Sequence, residues 1–141
     1  MSSDLRLVLD TNVFLVSILP HHKYWWVFDA VINQQYTLLV SNEILTEYLE
    51  KCIQKYGSDL SNERLDFLIE FSNVELITPY YNWNLINADP DDNKFVDCAL
   101  SGQADFIVTH DKHFRILADI PFPKVNTIRL EELKEKLKIL T

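Results

Sequence analysis

The chain has 141 residues, 48% hydrophobic and 24% charged, which is the balance of a globular domain large enough for a real core. Thirteen basic residues stand against 21 acidic ones, and a net charge of −8 argues against a protein that coats nucleic acid by neutralising phosphates. The two glycines, Gly57 and Gly102, are far apart, so neither a G-x-G-x-x-G turn nor a G-x-x-x-x-G-K-[ST] phosphate loop can exist.

Met1 to Leu9 carries Asp4 and Arg6 within a short apolar stretch and lacks the layout of a signal peptide. Leu5–Leu9 reads as a buried strand that stops at Asp10. Val13–Leu19 predicts a short helix stopped by Pro20. From His21 to Asn33, Tyr24, Trp25, Val27, Phe28, Val31 and Ile32 recur at helical spacing, and Trp25 and Trp26 are expected to pack into the core. Tyr36–Val40 is a strand ending at Ser41, a good N-cap for a helix reaching about Lys55. A break at Tyr56-Gly57-Ser58 precedes a helix over Asn62–Phe71 and a strand over Val74–Ile77 closed by Pro79. Tyr80–Ala88 is a loop whose Tyr80, Tyr81 and Trp83 could stack bases.

Asp89-Pro90-Asp91-Asp92 opens a helix running to about Gly102. A second apolar strand, Ala104–Thr109, closes at Asp111. Lys112–Ala118 is a short helix or turn, Pro121 and Pro123 interrupt the chain, Asn126–Leu130 is a last strand, and Glu131–Leu140 a charged helix. Cys52 and Cys98 show no metal spacing and fit buried, reduced thiols of a cytoplasmic protein. No apolar run approaches the ~18 residues of a membrane span. Strands alternating with helices, without repeat or linker, predict one α/β domain over residues 1–141 around a mostly parallel sheet.

The carboxylates carry the chemistry. Ligands of open parallel sheets bind at the carboxyl ends of the strands. If the two most apolar strands are neighbours, Asp10 and Asp111 meet there; read separately, each aspartate is a helix cap. On a helical wheel Asp92 falls about 60° from Phe95, inside the arc of Phe95, Val96, Ala99 and Leu100. Asp91 falls on the flank and Asp97 on the more exposed side. A carboxylate on an inward face needs a partner or a cation. Glu43, Glu47 and Glu50 all lie away from the apolar arc of their helix, so periodicity does not choose among them; a solvated face with Glu47 paired to Lys51 explains it equally well. Converging carboxylates without His/Cys spacing suit Mg²⁺ or Mn²⁺ rather than zinc, and such ions promote phosphodiester hydrolysis. A phosphatase with Asp10 as nucleophile commonly needs a second aspartate two residues later or a lysine at the end of a later strand, and Asn12 and the strand end Thr109-His110-Asp111 offer neither.

Four stretches in order resemble the motifs of PIN-domain ribonucleases, above all their bacterial branch of toxins from toxin–antitoxin pairs. They are Leu7-Val8-Leu9-Asp10-Thr11-Asn12-Val13-Phe14, Ser41-Asn42-Glu43-Ile44-Leu45-Thr46-Glu47-Tyr48, Asp89-Pro90-Asp91-Asp92-Asn93-Lys94-Phe95 with Cys98-Ala99-Leu100, and Ala104-Asp105-Phe106-Ile107-Val108-Thr109-His110-Asp111. The resemblance covers Leu5 to about Leu130 and implies a PIN-like three-layer α/β/α fold with a five-stranded sheet. It implies an Mg²⁺- or Mn²⁺-dependent endoribonuclease in which Asp10, Glu47, Asp92 and Asp111 hold the metal and Asn12 and Thr109 orient those carboxylates. It also implies an RNA substrate, a cognate antitoxin, and a family tendency to form homodimers. Lys94, Lys112 and Arg115 are near enough in sequence to contact phosphates. His113 occupies a position that is often acidic in such relatives, which leaves one ion or two open and makes a catalytically weak binding module the competing reading. The bland reading of His113 and His110 is a loop histidine facing solvent. An acidic protein of this kind meets RNA through its metal, with little long-range attraction.

Overall fold

The computed structural model describes residues 5–140, so the Met1–Asp4 part of the opening stretch lies outside the described residues. The chain runs β1 (Arg6–Leu9), α1 (Thr11–Ser17), α2 (Trp25–Ile32), β2 (Thr37–Val40), α3 (Asn42–Tyr56), α4 (Ser58–Leu68) and β3 (Val74–Leu76). A 3₁₀ turn (Pro90–Asp92) leads into α5 (Asn93–Ser101), β4 (Phe106–Val108), a 3₁₀ segment (Lys112–Asp119), β5 (Thr127–Ile128) and α6 (Leu130–Leu140). All strands are parallel, in the order β3-β2-β1-β4-β5. Helices flank the sheet in the expected α/β/α arrangement. Strand order reverses direction beside β1: the chain builds outward to β2 and β3, then returns to add β4 and β5 on the other side. That reversal opens a crevice at the carboxyl ends of β1 and β4.

The strands are apolar because both faces are covered. Leu7, Val8, Leu38, Leu39, Ile107 and Val108 have no exposed surface, and each such burial contributes about 1.5–3 kcal/mol. Helix α5 packs on β1, β2 and β4, while α3 packs on α1, α4 and α5. Cys52 and Cys98 are buried free thiols, pushed by burial up to about 11 and about 12.

Several boundaries differ from the sequence reading. Helix α2 begins at Trp25, and both Trp25 and Trp26 are only half-buried against the core rather than within it. Helix α4 begins at Ser58, because the break before it contracts to Gly57 alone, whose φ of 88° turns the chain. Asp92 ends a 3₁₀ turn instead of sitting in the first turn of an α-helix. Asp97 is buried, not exposed: the loop before Asp89 is tied to α5 by hydrogen bonds between the Ile86 backbone and the Asn93 side chain, and the Trp83 N–H donates to Asp97 Oδ1 at 3.0 Å.

Tyr48 links the core to the crevice. Its ring stacks on Phe14 at 4.1 Å, and its buried hydroxyl donates to the Leu9 carbonyl at 2.5 Å, one residue before Asp10. Tyr48→Phe keeps the stack but strips that buried acceptor of its donor. Urea denaturation should show a loss of about 1–3 kcal/mol; unchanged stability would mean that the Leu9 carbonyl finds another donor.

Candidate metal centre

Asp10 leaves the end of β1 with its side chain only 5% exposed. It caps α1 by accepting the Val13 N–H at Oδ1 (2.9 Å), and its Oδ2 accepts the Thr109 hydroxyl. The cap role and the cleft position therefore coexist. Burial raises the Asp10 carboxyl above its usual range despite these hydrogen bonds. The Thr109 oxygen also accepts the Asp111 N–H at 2.9 Å, so one hydroxyl fastens the turn after β4 to the carboxylate after β1. Asp111 in turn caps the 3₁₀ segment by accepting the His113 N–H at 2.9 Å.

Asp92 enters from the opposite wall. Its Oδ2 is buried without a hydrogen-bond partner. Burial, then the charges of Asp89 and Asp111, push its carboxyl up to about 6, against the opposing pull of His113 and with a smaller upward push from Asp10. Asp10, Glu47, Asp92 and Asp111 line one cleft, together with Asp89 and Asp91. Within it, Asp10, Asp92 and Asp111 crowd one another electrostatically.

Glu47 is already served. Its Oε1 lies 2.8 Å from Lys94 Nζ, and its Oε2 accepts the Thr11 hydroxyl. Burial alone would raise this carboxyl, but Lys94 and Thr11 hold it below its usual range. Its ion-pair partner is thus Lys94 on α5 rather than Lys51 one turn along α3, because α3 and α5 pack together. Lys94 also donates to the Asp91 carbonyl at 2.5 Å, so it is engaged inside the protein and not extended toward a ligand.

Asn12 is exposed at the cleft and makes no side-chain hydrogen bond among the described residues. The hydroxyl of Thr11, one residue earlier, is what reaches a carboxylate; the sequence reading passed over Thr11. Lys112 and Arg115 are exposed, and Arg115 lines a neighbouring groove with Asp111 and Arg129. His110 faces outward, and its Nε2 accepts the Leu130 N–H at 3.0 Å. The His113 side chain is 35% exposed, yet one of its nitrogens turns inward. Its Nδ1 is buried without a hydrogen-bond partner, 3.6 Å from Asp92 Oδ2 and 3.5 Å from Asp111 Oδ1. Ligand atoms of Asp89, Asp92 and His113 lie within 4.8 Å of one another.

This donor set fits a divalent cation. Two buried polar atoms lack partners, and carboxylates are held close enough to repel. Oxygen predominates, as hard cations require. Among the described residues, Asp89, Asp92 and His113 are grouped closely enough to share such an ion as they stand; Asp10 and Asp111 line the same cleft and would have to close on it, and Glu47 would have to be released from Lys94.

A family model for the PIN domain matches residues 6–113. An uncharacterized protein of Methanocaldococcus jannaschii is 34% identical over 133 residues, covering 90% of this chain and 84% of its own. Similar solved structures include VapBC2 from Rickettsia felis bound to a DNA fragment from their promoter, with a TM-score of 0.63 and 16% identity. VapBC-1 from nontypeable Haemophilus influenzae gives 0.59 and 17%. Each likeness covers 89% of this chain and 98% of the other, and at these identities it is one of fold.

The crowding of Asp92 has a measurable consequence for stability. A carboxyl whose folded pKa stands near 6 rather than 3.8 holds its proton more tightly folded than unfolded. Its contribution is therefore favourable at low pH and is lost as pH rises through about 6. In EDTA, thermal melts between pH 4.5 and 7.5 should show the wild type losing about 1–2 kcal/mol more than Asp92→Asn, after allowance for solvent screening. Parallel curves for the two proteins would contradict the crowding.

Proposed function

Since the chain belongs to the PIN-domain family, we propose that it is an endoribonuclease that hydrolyses RNA phosphodiester bonds with a bound Mg²⁺ or Mn²⁺. The observation that carries this reading is the meeting of Asp10, Asp92 and Asp111 in one cleft at the carboxyl ends of β1 and β4. Asp10, Glu47, Asp92 and Asp111 would hold the ion. Such an ion supplies a nucleophile at neutral pH and screens the charge that develops on the phosphoryl oxygens.

The remaining roles belong to the chain. Thr109 fixes the orientation of Asp10 and the path of the turn leading to Asp111. Thr11 does the same for Glu47. Hydroxyl and amide partners of this kind hold ligating carboxylates in place before the ion arrives. Lys112 and Arg115, both exposed, would contact phosphates of the substrate. Tyr80 and Tyr81, exposed on the loop before Asp89, offer rings for unpaired bases. The resemblance of the motifs and the fold shared with the VapBC structures support a toxin held in check by a cognate antitoxin protein. The Glu47–Lys94 pair favours a second reading, a binding module of low catalytic power, because one expected ligand is neutralised from within.

Cleavage of single-stranded RNA by the purified protein in Mn²⁺ decides between them. Wild type should cut, EDTA should stop it, Asp10→Asn should abolish it, and Thr109→Val should lower metal affinity or rate about 10–100-fold. Equal residual activity in wild type and Asp10→Asn would remove the cleavage from this site. Metal binding without cleavage would support the binding module.

A further inference from the structure

We propose that His113 is itself a ligand of the ion in this cleft, and that its ring nitrogen tilts the site toward first-row transition ions such as Mn²⁺ and away from Mg²⁺. This rests on the reading of the cleft as a metal centre. The ring is placed by local structure. Asp111 caps the 3₁₀ segment through the His113 N–H at 2.9 Å, which fixes where the histidine side chain starts. From there Nδ1 turns inward and sits 3.5 Å from Asp111 Oδ1 and 3.6 Å from Asp92 Oδ2.

Those separations are too long for hydrogen bonds. Nδ1 and Asp92 Oδ2 are both buried, and neither has any other partner. Two buried polar atoms facing each other without a hydrogen bond have lost hydration that only a charge shared between them restores. With its lone pair turned to the carboxylates, Nδ1 needs a cation between them; with a proton there it would form the ion pairs that 3.5 and 3.6 Å permit, and a bound ion would take that proton's place. The neighbouring lysines and arginine do not supply that charge: Lys94 is committed to Glu47 and the Asp91 carbonyl, and Lys51 at the cleft rim, Lys112 and Arg115 are exposed. Asp89 completes the group, with its ligand atom within 4.8 Å of those of Asp92 and His113.

The choice of ion follows from the donors. Mg²⁺ prefers an all-oxygen octahedron and parts with water reluctantly. Imidazole nitrogen is a better ligand for first-row transition ions, so one histidine among carboxylates shifts the balance toward them.

Electron spin echo envelope modulation of the Mn²⁺-loaded protein tests this directly. Wild type should show the ¹⁴N coupling of a coordinated imidazole. His113→Gln should lose it and His110→Gln should keep it. By calorimetry, His113→Asp should lower the ratio of Mn²⁺ to Mg²⁺ affinity at least about tenfold. The wild-type spectrum decides the matter even if a variant fails to fold. Mn²⁺ bound without nitrogen coupling would overturn the role of His113 and leave the carboxylate centre standing. No Mn²⁺ binding at millimolar concentration would overturn both.

Discussion

The parallel pairing of β1 with β4 is the constraint from which the site follows. Leu7, Val8 and Leu9 lie in register with Phe106, Ile107 and Val108, although 99 residues separate the partners. Once the strands are in register, their next residues must emerge side by side at the same edge of the sheet. Asp10 and Thr109 therefore touch, and the Asp10 N–H donates to the Val108 carbonyl at 3.1 Å as the last rung between them. A slip of one residue would exchange the two buried faces on which Leu7, Val8 and Leu9 pack and carry Asp10 away from Thr109 together. Hydrophobic burial on both faces of the sheet thus enforces the geometry of a polar cleft in which no apolar side chain takes part in the chemistry.

Charge is managed unevenly within that cleft. Glu47 is neutralised by Lys94 and held by Thr11, so it sits comfortably in the folded protein. Asp92 is half-buried with an orphaned oxygen and surrounded by Asp89, Asp111 and Asp10. A protein selected for stability alone would not keep that arrangement. Strain concentrated on one carboxylate, while its neighbours are braced by hydroxyls and helix caps, suits the proposed cation site. It also gives the excess acidity of the chain a local meaning: part of the −8 charge is gathered where an ion and a phosphate would meet.

Much of this was legible in the sequence, and the residues show why. Asp10 and Asp111 could be placed because each follows an apolar run too strong to be anything but a buried strand. Asp92 could be turned inward by periodicity, although the α-helix starts one residue later, because the 3₁₀ turn feeds it in nearly the same phase. What stayed hidden depends on contacts that no local spacing encodes. Lys94 reaches Glu47 only because α3 and α5 are packed together. Asp97 is buried by the backbone of Trp83, from a loop without periodicity. His113 points inward because of the cap that Asp111 makes, a detail of one turn rather than of a pattern. Thr11 was overlooked beside Asn12, and only its position at the start of α1, facing α3, separates the two.

On this account a divalent cation belongs where these carboxylates converge. Anomalous diffraction from crystals grown with Mn²⁺, collected on both sides of the manganese edge, tests it most directly. A single strong peak within coordination distance of Asp10, Asp92 and Asp111 is the predicted result. Well-ordered carboxylates with no peak among them, or manganese found only elsewhere on the surface, would contradict it.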